Sequence, residues 1–409
     1  MKELLEKYAR LAVKVGVNLQ PNQYLVITST LEYPEFTRMV AKAAYEAGAS
    51  KVEIEWNDAE SHRLDYLYNN DEELANIPKW KIMQKEEQIN RKCAMINIAS
   101  PKPSLLSDID SKKIQIEQLA SSKAFQPFRY YKSTSQGQWL GLCVPNADWA
   151  ALVFPNLEPD AAVCKLWEAI FECCRINETD DPIALWQKHV DTILKHRQLL
   201  TDHAFESLHF KNSLGTDLIV GLVENHQWSG GQEMTPTNIG FTPNMPTEEI
   251  FCMPHRLKVN GKVVATKPLN IQGKLCEDFY FVFKDGKVIE AEAKKNQEAL
   301  ESLLNMDEGA RYLGEVALIS DHSPISDTGL IFYNTLFDEN ASCHLALGNC
   351  YGSNLKNASN MSKEEMEDAG ANFSMIHCDF MFGSPDMEVI GTCADGTEIQ
   401  LFKDGNFII

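Results

Sequence analysis

At 409 residues, with 44% hydrophobic and 23% charged side chains, the chain has the size and composition of a globular protein of two or three domains. A formal net charge of -20 argues against nucleic acid or an anionic membrane as partner and favours a cationic group such as a free ammonium. The N-terminal residues read as an amphipathic helix, not a signal peptide, no apolar run approaches the roughly 18 residues of a membrane span, and the 11 cysteines contain no CxxC pair, so a cytoplasmic protein with buried thiols is expected.

Leu4, Leu5, Tyr8, Leu11, Ala12 and Val15 recur at helical spacing, which predicts a helix over residues 1–17 ended by Gly16. A buried strand follows at 24–28, a helix at 33–47, a strand at 51–56, a helix at 63–68, a charged helix at 71–91, a strand at 93–98 and a helix near 107–121. Such alternation predicts a doubly wound, mainly parallel sheet. Residues 28–34, directly after the first strand, contain no glycine, so a dinucleotide cofactor is not expected and this half reads as scaffold. Residues 138–144 add a strand, and 159–176 and 182–205 read as long helices.

Beyond residue 200 strand-like alternation takes over. Hairpin turns are predicted at 212–216, Asn260–Gly261 and Asp285–Gly286, with helices only near 294–304 and 362–369. The expected architecture is α/β: a scaffold domain over 1–200, then an α+β domain over 201–409 with a mixed or antiparallel sheet carrying a metal site.

Four stretches in the second half bear ligand-type residues. Glu248 and Glu249 are adjacent in Asn-Met-Pro-Thr-Glu-Glu-Ile-Phe, a pattern that also suits a helix N-terminus. Glu315 enters the apolar run Gly-Glu-Val-Ala-Leu, where a carboxylate needs a charged or metal partner unless the strand is at an edge. His344 opens the run His-Leu-Ala-Leu, with Asp338 and Glu339 upstream and Tyr351 downstream. His377 and Asp379 are two residues apart in Ser-Met-Ile-His-Cys-Asp and would share one face of a strand, with Cys378 turned to the core. Oxygen and imidazole donors suit zinc, cobalt or manganese, and their number exceeds the needs of one catalytic zinc, pointing to two metals and hydrolysis. HExxH and GxSxG are both missing, which disfavours single-zinc helix proteases and serine hydrolases.

These motifs, in this order and together with Asn-Thr-Leu-Phe-Asp-Glu-Asn-Ala-Ser-Cys-His-Leu-Ala-Leu-Gly and His-Cys-Asp-Phe-Met, resemble the aminopeptidase T and S type of metallopeptidase, the thermophilic metalloprotease family, over nearly the whole chain. The resemblance implies a cytosolic, homodimeric exopeptidase that acts on peptides with a free N-terminus through two divalent ions, zinc or cobalt first, manganese or magnesium next. It places the metal ligands on Glu249, Glu315, His344, His377 and Asp379, adds Glu339, and puts the family's tyrosine on Tyr351. Glu315 is then the candidate bridge or general base, Tyr351 the candidate hydrogen-bond donor to the oxyanion, and Asp379 the likelier bridge of the His377–Asp379 pair. A two-metal hydrolase of non-peptide amides or esters, or a metal-binding protein without turnover, are the alternatives.

Overall fold

The computed structural model describes residues 1–271 and 274–409, and element counts refer to these. The chain forms two compact units, one of residues 1–188 and 232–246, the other of residues 189–231 and 247–409.

In the first unit, β1 (Tyr24–Thr30), β2 (Lys51–Asn57), β3 (Ala94–Ala99), β4 (Trp139–Cys143) and β5 (Asn244–Met245) form a parallel sheet in the order β2-β1-β3-β4-β5. Leu25, Ile27, Ile96 and Leu140 on one face and Tyr24, Val26 and Met95 on the other are buried, so both faces of the sheet are covered. Tyr8 of the first helix stacks on Phe36 of Pro34–Glu46 and meets Phe171 of Pro159–Cys173 edge-on. That first helix is regular only over Lys2–Leu11 and continues as a wider turn to Gly16. The charged stretch is two helices, Asp71–Ala75 and Lys79–Asn90, because Pro78 has no N–H with which to continue the first. The helix near 107–121 lies at Ser111–Ala124, and two further helices, Gln126–Ser133 and Ala147–Val153, were not expected.

The second unit has two principal sheets. One is antiparallel, with β6 (Ile250–Cys252), β7 (Leu313–Leu318), β8 (His344–Gly348) and β9 (His377–Met381) in that order. The other has nine strands, including the hairpin Ser207–Lys211 with Asp217–Leu222 and the long pair Lys274–Lys284 with Lys287–Lys295. One core joins them, as in the contact of Phe281 with Phe380 at 5.0 Å between ring centroids.

The turn at Asp285–Gly286 is present, both residues having positive φ. No turn forms at Asn260–Gly261: the strand Pro254–Val264 runs through it, Gly261 pairing with Leu218 on one side and Phe283 on the other. A Cβ at Gly261 would lie 2.2 Å from the Asp217 carbonyl, so this glycine permits a close strand approach rather than a reversal. Helices form at Gln297–Leu304 and Lys363–Asp368, the second opened by a Ser362–Glu365 capping box, and a short helix, Thr335–Asp338, lies between them.

Candidate metal centre

Alternation sorts the residues of the four-stranded sheet onto two faces. Val316, Leu318, Leu345, Leu347 and Phe380 enter the core. On the other face Glu315 lies opposite Ala346, Ala346 opposite Asp379, Ala317 opposite His344, and Gly348 opposite His377. Glu315, Ala346 and Asp379 therefore form one row with only a methyl group at its centre, which leaves room above it.

Glu315 reaches this face through a bulge. In a regular strand Leu313 and Glu315 would share a face, but Leu313 pairs with Leu347 and Glu315 with Ala346, so Gly314 is an extra residue. Leu313 stays in the core while Glu315 turns to the opposite side. A Cβ on Gly314 would lie 2.4 Å from the Asn349 carbonyl.

Glu249 precedes β6, whose first residue Ile250 faces the core opposite Leu318, so Glu249 falls on the site face. It lies in a loop, not at a helix N-terminus. Glu248 turns instead toward His189, 3.6 Å away, and its N–H donates to Asn340 Oδ1 at 2.8 Å.

Glu315 presents one oxygen to each histidine, with Oε1 3.6 Å from His344 Nε2 and Oε2 3.4 Å from His377 Nε2. His344 Nε2 is also 3.5 Å from Glu249 Oε2, and His377 Nε2 is 3.3 Å from Asp379 Oδ1. Ligand atoms of Glu249, Glu315 and His344 lie within 4.8 Å of one another, as do those of Glu315, His377 and Asp379. His344 Nδ1–H donates to the Glu339 carbonyl at 2.8 Å and His377 Nδ1–H to the Asn349 carbonyl at 2.7 Å. Because a carbonyl can only accept, Nδ1 must carry the hydrogen, and in the neutral ring the Nε2 lone pair faces the cluster.

Burial first, and then the charge on Glu315, pushes the Glu249 carboxyl up to about 8. Burial, followed by Asp379 and Glu249, pushes Glu339 well above the carboxylate range. Burial opposes charge on both imidazoles, yet Glu315, Asp379 and Glu249 hold His344 up to about 10, and Asp379 and Glu315 hold His377 up to about 11. Asp379 is lowered, because the two histidines outweigh its burial. Among the described residues no lysine or arginine pairs with Glu249, Glu315, Glu339 or Asp379. Buried carboxylates without a cation are costly, and this donor set, with two Nε2 atoms aimed into it, fits divalent ions.

Tyr351 follows β8, its ring 4.8 Å from that of His377. Desolvation and then the carboxylates of Glu315, Asp379, Glu249 and Glu339 raise its phenol pKa, although 46% of the residue is exposed. Asp338 stays out of the cluster and accepts the N–H groups of Phe332 and Asn334. Cys378 lies on the core side, partly buried.

Sequence reasoning missed the asparagines that brace the centre. Asn340, fully buried, ties the loop of Glu248 and Glu249 to the Leu336 carbonyl. Asn372 donates to the carbonyls of Gly309, Tyr312 and Gly348, gathering the ends of β7 and β8. Neither stands out in the sequence, since Asn340 follows Asp338 and Glu339 and Asn372 lies in Ala-Gly-Ala-Asn-Phe-Ser, settings that ordinary turns share.

A buried cluster of carboxylates and imidazoles with no lysine or arginine partner among the described residues suits the metal site of a metalloenzyme. The chain belongs to the thermophilic metalloprotease family (M29), whose model matches residues 1–407, and it is accordingly a metal-dependent peptide hydrolase. It is 42% identical over 403 residues to aminopeptidase 2 of Geobacillus stearothermophilus, covering 98% of this chain and 97% of the relative. Identity to aminopeptidase AmpS of Bacillus subtilis is 40%, covering 98% of each chain. The solved structure of wild-type AmpT from Thermus thermophilus superposes with a TM-score of 0.93 at 37% identity over the full length of both chains.

Proposed function

We propose that the protein releases N-terminal amino acids from peptides and that its centre takes two divalent ions, zinc or cobalt. Glu249, Glu315 and His344 would hold one ion and Glu315, His377 and Asp379 the other, with Glu339 alongside. The observation that carries this reading is Glu315, a single carboxylate with one oxygen turned to each histidine. Of the two roles open to it, bridge or general base, this geometry favours the bridge.

When bound, the ions supply Lewis acidity to the scissile carbonyl and the attacking water. The protein's own part is to orient and to move protons. Its two imidazoles are fixed by their Nδ1–H bonds to main-chain carbonyls. The Tyr351 phenol stays protonated and can donate a hydrogen bond to the oxyanion. Glu339, beside the ligands, would take a proton from the attacking water and return it to the leaving amine. The family resemblance adds a homodimer, and buried free thiols such as Cys93, Cys252 and Cys343 suit a reducing cytoplasm.

The test is chelation followed by stepwise addition of zinc or cobalt to the intact chain, assayed with leucine p-nitroanilide and with nitrophenyl phosphate. Activity on the anilide that saturates at two ions per chain is expected. Turnover of the phosphate ester alone would replace the peptidase reading with a phosphoesterase, and saturation at one ion would overturn the two-metal centre.

A further inference from the structure

We propose that the outer edge of β9 holds the main chain of the peptide substrate as an added antiparallel strand, a proposal that rests on the aminopeptidase reading above. β9 ends its sheet and pairs only with β8 among the described residues. Asn349 N–H donates to the Ile376 carbonyl at 2.7 Å and Phe382 N–H to the Cys343 carbonyl at 3.0 Å, so even-numbered residues of this segment bond inward. Main-chain directions alternate along a strand, and His377, Asp379 and Met381 therefore point their N–H and C=O groups outward. Met381 does so visibly, its carbonyl accepting Thr266 N–H at 2.9 Å on the outer side. The His377 N–H and C=O and the Asp379 C=O have no main-chain partner among the described residues. These are the two residues whose side chains enter the centre, so an extended peptide laid on this edge is held in fixed register with the ligands.

Two cavities flank the edge and set the direction of the chain. One of about 260 Å³ lies at the Met381 end, where Ile331, Tyr333, Leu275 and Leu269 give it apolar walls and Glu339 and Asp379 border it. The other, of about 400 Å³, lies beyond His377 and is lined by Ile271, Leu303, Met306 and Met375. Thr266 closes the edge at Met381, so a peptide ends there, with its free ammonium beside the carboxylates and its first side chain in the smaller cavity. The rest of the peptide leaves past His377 toward the larger one. This course is opposite to that of β9, which makes the pairing antiparallel.

Leucyl tetrapeptides N-methylated at the amide of the third or of the fourth residue test the edge on the metal-loaded full chain, with leucine p-nitroanilide as a substrate that has no further main chain. One methylation is expected to raise KM about tenfold and its neighbour to change it less than about twofold, because only alternate residues face an edge. Equal tolerance or equal loss at both positions overturns the added strand. Failure to cleave the anilide would instead strike the aminopeptidase reading itself. Ile331→Trp, which fills the smaller cavity, is expected to cut kcat/KM for leucine relative to alanine p-nitroanilide about tenfold, and an unchanged ratio would overturn the placement of the N-terminal residue.

Discussion

Two groups of carboxylates, one on a strand of the parallel sheet and one gathered from strands and loops of the second unit, differ in kind in their surroundings. Glu53 and Glu55 share a face of β2, and Gln84, Lys85 and Gln88 of the helix Lys79–Asn90 serve them. Glu53 accepts from the Tyr24 hydroxyl, Gln84 and Gln88, and Glu55 from Lys85 at 2.7 Å and Gln88 at 2.6 Å. Although burial works against it, those hydrogen bonds lower the pKa of Glu53. Glu249 and Glu339 face other carboxylates and two imidazoles, with one long donation from Asn340 Nδ2 to Glu339 at 3.4 Å, and their pKa values rise. The first group is complete as it stands, whereas the second is balanced only by added protons or metal ions.

Neutralising one member of each group gives the largest contrast. Glu315→Gln keeps the shape but removes the charge between the histidines, and a loss of more than about a hundredfold in kcat/KM on leucine p-nitroanilide is expected, since even outer partners of metal ligands are worth 10–100-fold. Glu55→Gln exchanges a half-screened ion pair with Lys85 for a hydrogen bond, so activity should hold and stability fall by about 1 kcal/mol or less. Equal effects of the two substitutions would erase the distinction between the groups.

The next effect depends on the bulge. Gly314→Val drives a branched side chain at the Asn349 carbonyl, with an expected loss of about 2–4 kcal/mol in chemical denaturation and loss of metal from the folded fraction. Should the variant keep full stability and metal, Glu315 does not need the extra residue to reach its face.

This bulge also marks where the sequence stops being legible. His377 and Asp379 could be assigned to one face from spacing alone, since β9 is regular and period two holds along it. Applied to β7, the same rule puts Leu313 beside Glu315, when one belongs to the core and the other to the centre. Glu248 and Glu249 sit in a loop without periodicity, and only the pairing of Ile250 with Leu318 shows which of them turns inward. The alternating half was legible as a parallel α/β sheet because its first four strands carry enough apolar residues to read as strands and each is separated from the next by helical spacing. Its fifth strand, Asn244–Met245, is two residues long and carries no pattern to read. Asn260–Gly261 misled because the same dipeptide serves a turn or a close strand approach, and only the neighbouring strands decide.

A smaller effect separates the groups by pH in the metal-free protein. Unfolded, Glu249 loses its proton near the ordinary 4.5 and the histidines near 6.5, whereas folded they retain protons to about 8, 10 and 11. Over those intervals the folded chain binds more protons than the unfolded one, so the stability present near pH 6 is lost as pH rises toward 10. Asp379 is shifted the other way, and its contribution is lost only as pH falls below about 4. Calorimetry of the metal-free chain should therefore show Tm falling by a few degrees between pH 6 and pH 9. Adding zinc should raise Tm more at pH 9 than at pH 6, because metal competes with fewer protons there. A Tm that rises with pH in the metal-free chain would contradict the assignment.

The smallest expected effect concerns Cys378, the residue between two proposed ligands. Adjacency in sequence makes it look part of the centre, and a thiol is a competent zinc ligand. Its ladder partner is Leu347, however, and that row faces the core, so its sulfur and the Asp379 carboxylate lie on opposite sides of the sheet. Burial pushes the thiol up to about 12, which keeps it protonated and unsuited to metal. Cys378→Ser should leave kcat/KM within about twofold and cost about 1 kcal/mol for a hydroxyl in a partly apolar setting. Loss of metal from Cys378→Ser, without loss of fold, would mean that β9 turns over in solution and that its alternation does not set the ligands.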